Sequence, residues 1–406
     1  MRRLALALVA ALAVGGCGGS DEPAAIDVQI WADAEERPLY EELARAYEER
    51  TGEEVRILAI PDRVAHLQRL ATSFAADRPP DVFVVNHRNV GGFLRPGAVS
   101  PVGPRLGDAA KDYVKIARDA FTVDGVLQCL PQNASSLVAY VNVDRFLAAG
   151  VQPPQAWTYE EFVAAARRLQ AQAAEDEHAI GIEPSVIRFA PFVWSAGGEV
   201  VDDTDMPGRF TFATPSARPA LQALLDLRTE GLTPTRAEVE GQPLDERFLA
   251  GKLGILFSSR REVPAFRSIE SFAWDVAPVP VIDEPATVLH SDGFCLSQGP
   301  DADRAWEFVR FALGPVGAGV LARGGRTVPS LRSALPIIVG PDSAPPRSSR
   351  VFVNGLKTMR RLPTSRNFTA VQDAADLALE AAFYGELTLD EALARIARET
   401  DGRFGG

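Results

Sequence analysis

Gly125-Val-Leu-Gln-Cys-Leu-Pro-Gln-Asn-Ala-Ser-Ser-Leu-Val-Ala-Tyr-Val-Asn142 is two short apolar runs with a polar step between them. Residues 125–130 and 137–142 read as strands, and 131–136 as the break. Proline has no amide proton and a fixed φ, so Pro131 closes the first strand and biases the two residues before it towards extended backbone. Gln132, Asn133, Ser135 and Ser136 suit a wet surface rather than a core. A polar step between two buried strands is what a chain needs when it passes from one lobe to another beside a cleft. The stretch is therefore predicted to be an interdomain crossover.

Upstream of it, Ile26-Asp-Val-Gln-Ile-Trp31 alternates as a half-buried strand does, and Leu39, Tyr40, Leu43, Ala44 and Tyr47 follow at helical spacing. Thr51-Gly52 ends that helix. A strand at 55–60, a helix at 62–76 and the strand Pro80-Asp-Val-Phe-Val-Val-Asn86 come next, opening into His87-Arg-Asn-Val-Gly-Gly92. Strands alternating with helices predict a parallel α/β sheet, whose ligands sit at the carboxyl ends of strands. Those ends fall after Trp31, after Ile60 and at 86–89.

Downstream, Thr158 and Glu161 have capping-box spacing, with Trp157 just before them as a structural staple. Helices are predicted at 215–230 and 244–251, and strands at 252–257 and 274–280. His290-Ser-Asp-Gly-Phe-Cys-Leu-Ser297 repeats the passage from apolar strand to polar step, and a helix at 301–313 with Trp306, Val309 and Leu313 on its buried stripe follows. A proline- and serine-rich stretch at 341–349 leads to helices around 351–361, 368–384 and 388–399.

At 406 residues the chain exceeds one ordinary core and fits two domains. Apolar content of 46% against 24% charged is globular, and a net charge of −12 argues against general nucleic-acid binding. The start, Met1-Arg-Arg followed by an apolar run to Val14, is shorter than the about 20 residues of a membrane span and has the layout of a secretory signal. Val14-Gly-Gly-Cys17 resembles a bacterial lipobox, in which Cys17 becomes the lipidated N-terminus. The alternative is an ordinary signal with an incidental cysteine. Residues 1–16 are then the signal and 17–25 a flexible tether. Cys129 and Cys295 remain, in an oxidising compartment that allows a disulfide. No cysteine or histidine pair has metal-ligand spacing, and no nucleophile elbow, zinc-protease or phosphate-loop motif occurs, so no catalytic residue, metal or cofactor is expected.

Taken in order, these pieces resemble the extracellular solute-binding proteins of family 1, the maltose- and oligosaccharide-binding type of bacterial ABC importers. The pieces are Trp31 with Tyr40, Leu43, Tyr47, Thr51 and Gly52; Pro80-Asp-Val-Phe83 with His87, Gly91 and Gly92; and Gly125 to Asn142. Trp157-Thr158, Ser195-Ala-Gly-Gly198, Gly251-Lys252, Ala277-Pro-Val-Pro280, Ala305-Trp-Glu-Phe308 and Val328-Pro329 continue the set. The resemblance implies a two-lobed type II periplasmic-binding-protein fold, each lobe a mostly parallel sheet flanked by helices, with three hinge crossings. The expected lobes are 26–133 with 296–345, and 134–295 with 346–406. It implies a monomeric binding protein, not an enzyme, that hands a sugar to membrane permease subunits driven by a separate ATPase; a lipoprotein hydrolase is the distant alternative. Such a protein is exported and held by its lipid on the outer or periplasmic side of the membrane.

Candidate ligand contacts follow from that frame. Trp31 and Trp194 are the aromatic candidates, Trp194 beside the Gly197-Gly198 turn, with core packing as the alternative. Asp33, Glu35 and Glu36 follow the first strand, where the family places acidic pocket residues. Asn86, Arg88 and Asn89 stand at the end of the third strand, Asn133 and Ser135 in one crossover, Asp292 in the other, and Glu183 in a second-lobe loop. Arg260 replaces an aromatic turn of the family, in Ser258-Ser-Arg-Arg261. With Arg88 it suggests either an anionic solute such as a polyol phosphate or charge pairing across the hinge. If the two crossovers are neighbours, Cys129 and Cys295 come within bonding reach; two buried thiols are the alternative.

Overall fold

The computed structural model describes residues 24–339 and 345–404. The signal, Cys17, most of the tether and part of the 341–349 stretch lie outside the described residues. The chain forms β1 (Ile26–Trp31), β2 (Val55–Ile60), β3 (Val82–Asn86) and β4 (Val99–Ser100), a small hairpin β5 (Thr122–Val123) and β6 (Val126–Leu127), then β7 (Leu130–Pro131). The strands β1, β2 and β3 are parallel, with β1 in the middle. The helix Arg37–Thr51 lays Tyr40, Leu43, Ala44 and Tyr47 in this core and stops at Gly52, whose φ of 76° suits glycine.

The second sheet is built around β8 (Ser135–Asn142), buried at every position. It adds β9 (His178–Gly181), β10 (Leu253–Ser259), β11 (Trp274–Ala277) and β12 (Thr287–His290). Antiparallel pairing joins β8 to β10, β11 and β12, while β9 runs parallel to β10. The chain returns to the first sheet as β13 (Asp292–Ser297), antiparallel to β3, and to the second as β14 (Met359–Arg360), parallel to β12. The two-lobed α/β architecture is thus present, with both sheets mixed: β13 runs against β3 in the first, and β8 runs against β10, β11 and β12 in the second. Phe162 and Phe192 meet Phe257 edge-on at 5.5 Å in the second core. Trp157 is buried there, its indole N–H donating to the Pro278 carbonyl at 2.8 Å. Both hydrogen bonds of the Thr158 capping box form.

The crossover at 125–142 is tighter than its sequence suggests. Pro131 pairs with Gly293 and β8 begins at Ser135, so the break shrinks to 132–134. A proline is tolerated in β7 because that strand is a two-residue edge piece. The second passage turns at Ser291, between β12 and β13. The strand β13, Cys295 included, therefore belongs to the first lobe, and the boundary expected after 295 moves to 291. A third segment runs alongside: the Ala134 amide donates to Val328 O at 2.8 Å, and the Ser330 amide to Gln132 O at 3.0 Å. Cys129 and Cys295 are bonded, with Cα atoms 4.4 Å apart. This cross-link ties two crossing segments together on the first-lobe side.

Candidate ligand-binding cleft

A cavity of about 330 Å³ lies over the crossings, walled by both lobes. The carboxyl ends of β1 and β3 bring Trp31 and Asn86 to it. The crossovers supply Asn133, Ser135, His290 and Asp292, and the second lobe adds Glu183, Arg188 and Arg261. Asn133 stitches the crossings together. Its side-chain N–H donates to His290 O at 3.1 Å and to Ser135 Oγ at 3.2 Å, while its Oδ1 accepts from the Asp292 amide at 2.8 Å.

One end of the cleft is built from charge pairs. Arg326 meets Asp33 at 2.7 Å and Glu36 at 2.9 Å, with 9% of its side chain exposed. Burial raises the Asp33 carboxyl, but Arg326 and the amides of Glu36 and Glu35 outweigh it and leave Asp33 below its ordinary range. For Glu36 burial wins over Arg326, with Asp33 and Asp292 adding repulsion, and its pKa is pushed up to about 7. Next to this cluster, the Arg261 guanidinium lies 4.8 Å over the Trp31 ring, joining the lobes across the rim.

The other end uses amides. Arg88 donates through Nη1 to Gln372 Oε1 at 3.0 Å and through Nε to Asn86 Oδ1 at 3.2 Å. Burial, then the nearby Arg63, lowers its pKa to about 10. The chain of contacts continues from Asn86 Nδ2 to Asp292 Oδ1 at 3.1 Å, and from Gln372 Nε2 to Asp376 Oδ2 at 3.0 Å. Gln372 rides on the helix Phe368–Phe383, whose apolar face is part of the second core, so Arg88 bridges the lobes. Close by, a Cβ on Gly91 would stand 2.7 Å from the carbonyl oxygens of Thr364 and Ser365, so only glycine permits this approach. Arg188 donates to His290 Nε2 at 3.1 Å, which makes that ring neutral; burial and then Arg188 hold its pKa far below the ordinary value.

Of the residues singled out from sequence, Trp31, Asn86, Arg88, Asn89, Asn133, Ser135, Glu183 and Asp292 line this cavity. Four do not. Trp194 is buried in the second core on the helix Val186–Ser195, because that helix is apolar on nearly every side. Arg260 points away from the cleft, its guanidinium 4.8 Å over the Phe352 ring, because the turn Arg260–Glu262 sends successive side chains to different faces; Arg261 faces the cavity instead. Glu35 is exposed, and Asp33 sits behind Arg326 rather than in the wall, where Glu36 takes its place. Residues not anticipated are Arg63, Arg188 and Arg326, and Thr369, Gln372, Asp373 and Asp376. The last four form a polar stripe at helical spacing on an otherwise apolar helix, a legible signal. The three arginines carry no such pattern.

Two α/β lobes joined by crossing segments, with a polar cleft over the crossings, form a place where a solute can be held between the lobes. Comparison with known proteins agrees. The chain belongs to the bacterial extracellular solute-binding proteins, whose family model matches residues 32–319. It is similar to the ABC substrate-binding protein Lmo0181 from Listeria monocytogenes, solved in complex with cycloalternan, at 21% identity and a TM-score of 0.83 over 91% of this chain and 96% of that one. The cyclic alpha-maltosyl-1,6-maltose binding protein from Arthrobacter globiformis gives 21% identity and 0.80 over 94% and 99%. UgpB from Mycobacterium tuberculosis, in complex with glycerophosphocholine, gives 19% and 0.80 over 92% and 97%. No curated protein sequence matches the chain.

Proposed function

We propose that the protein captures a carbohydrate in this cleft and delivers it to the permease of an ABC importer. The observation that supports this most is the wall itself. One aromatic face, Trp31, stands among carboxylate, amide and guanidinium groups contributed by both lobes. A sugar offers a C–H face to the ring and hydroxyls that both donate and accept. Contacts to both lobes favour the closed arrangement, which is what a ligand needs in order to shift a two-state equilibrium. Trp31, Asn86, Arg88, Asn89, Glu183 and Asp292 are the side chains assigned to the ligand, with Asn133 and Ser135 holding the hinge beneath it. Arg88, contacted by amide oxygens, favours a second reading in which the solute carries a phosphate or carboxylate.

Thermal melting of residues 24–406 with neutral sugars, sugar phosphates and glycerol phosphodiesters separates the two readings. A rise in Tm with neutral sugars, confirmed by calorimetry, supports the first. A response confined to anionic solutes replaces it with the second. The protein is further assigned a lipid anchor at Cys17 and action as a monomer beside a separate permease and ATPase. Cys17→Ala is expected to move the protein from the membrane to the soluble fraction, and retention in the membrane refutes the anchor.

A further inference from the structure

Arg261 differs from the other arginines of the cleft in what holds it. Arg88 meets Asn86 and Gln372, Arg188 meets His290, and Arg326 meets Asp33 and Glu36. Among the described residues Arg261 makes no hydrogen bond and no ion pair within 4 Å; its guanidinium instead lies 4.8 Å over the Trp31 ring. We propose that Arg261 is a built-in occupant of the Trp31 face, which a solute must displace before it can stack there. Arg261 then sets how tightly the cleft holds any solute that uses the ring. The inference rests on the carbohydrate reading, in which Trp31 is the stacking surface.

The turn that carries Arg261 is pinned on both sides of it. Arg260, 2% exposed, is packed over Phe352, and the Glu262 carboxylate accepts from Ser258 Oγ at 3.0 Å. Arg261 is exposed and reaches from this fixed base across to the first lobe. The ring is fixed as well, because the Trp31 indole N–H donates to Pro61 O at 2.9 Å, just beyond the end of β2. A guanidinium that comes from the second lobe covers the face turned towards that lobe, which is the face the cleft offers. A sugar stacking through its C–H face needs the space directly over the ring that the guanidinium fills. The two therefore exclude each other.

The contact is strong enough to matter and weak enough to break. A cation over an aromatic ring at an exposed site is worth about two- to fivefold in an equilibrium constant. Arg261 has no hydrogen bond to lose when it leaves, and an exposed side chain regains water at once. A solute that stacks on Trp31 gives up this contact as it binds, and its apparent affinity falls by that factor. A solute that avoids the ring loses nothing.

The ligand-free protein tests the occupancy first. Trp157, Trp194, Trp274 and Trp306 are 5–6% exposed, so the partly exposed Trp31 dominates fluorescence quenching by acrylamide. Arg261→Gln uncovers the ring, and quenching of the ligand-free protein should rise. Arg261 is exposed, so the variant keeps its fold, which its melting curve checks. Calorimetric titration then uses glucose, galactose, mannose, maltose and trehalose. The saccharide that wild type binds most tightly should bind Arg261→Gln about two- to fivefold tighter. Quenching that does not rise overturns the occupancy. Affinity that stays the same or falls overturns the displacement, a fall making Arg261 a direct contact of the solute. Failure of every saccharide to bind either protein overturns the carbohydrate reading and the displacement with it, while quenching still decides whether Arg261 covers the ring.

Discussion

At one end of the cleft Arg326 is gripped by Asp33 and Glu36 at 2.7 and 2.9 Å; at the other, Arg88 touches the amide oxygens of Asn86 and Gln372. Among the described residues no carboxylate lies within 4 Å of Arg88. Both guanidiniums line the same cavity, yet they are built for different work. A buried cation paired with carboxylates has already exchanged its water for fixed partners, and it braces the structure. A cation held by neutral amides keeps most of its charge for whatever enters. The first end of the cleft is a clamp within the protein, and the second is a receptor.

Removing each arginine separates these roles. Arg326→Ala should have the largest effect, because it leaves the largely buried Glu36 and the partly exposed Asp33 without their partner. A loss of about 3–5 kcal/mol of stability is expected from urea denaturation. Arg88→Ala should change stability little and lower affinity for the saccharide that raises Tm by about a hundredfold, the worth of one or two charge-assisted hydrogen bonds. If Arg326→Ala chiefly costs affinity while Arg88→Ala chiefly costs stability, the two roles are reversed.

What the sequence reveals of this molecule follows the range of the forces involved. Period-two alternation in β1, the capping box at Thr158 and the glycine stop at Gly52 are local, and each appears where its pattern lies. The crossover is legible as strand, break, strand, but its limits are set by partners far along the chain. Gly293 recruits Pro131 into β7, and Leu289 and His290 pair with Ser136 and Ser135 at the start of β8. Site residues divide in the same way. Trp31 and Asn86 stand at strand ends, where topology predicts a ligand. Arg63, Arg188 and Arg326 reach the cleft only because three distant segments converge on it. Trp194 shows the cost of weighing one neighbour too heavily. The glycine pair beside it suggests a pocket, whereas Phe189, Phe192 and Val193, all fully buried, mark a core helix.

Glu36 carries the smallest expected effect. Glu36 stays hard to ionise even beside Arg326, because burial, followed by Asp33 and Asp292, outweighs the guanidinium. Its folded pKa of about 7 lies above the ordinary 4.5, so between those values the native state binds more protons than the unfolded chain. Stability from this group is therefore fully present below about pH 4.5 and is lost as pH rises towards 7. Glu36→Gln cannot titrate and should abolish that slope. Across the window the difference in unfolding free energy between wild type and variant should change by roughly 2 kcal/mol in the variant's favour. Urea titrations at half-unit pH steps measure it. Parallel profiles for the two proteins would place the Glu36 carboxylate in water, and the clamp would then be a surface ion pair worth about as little as such pairs usually are.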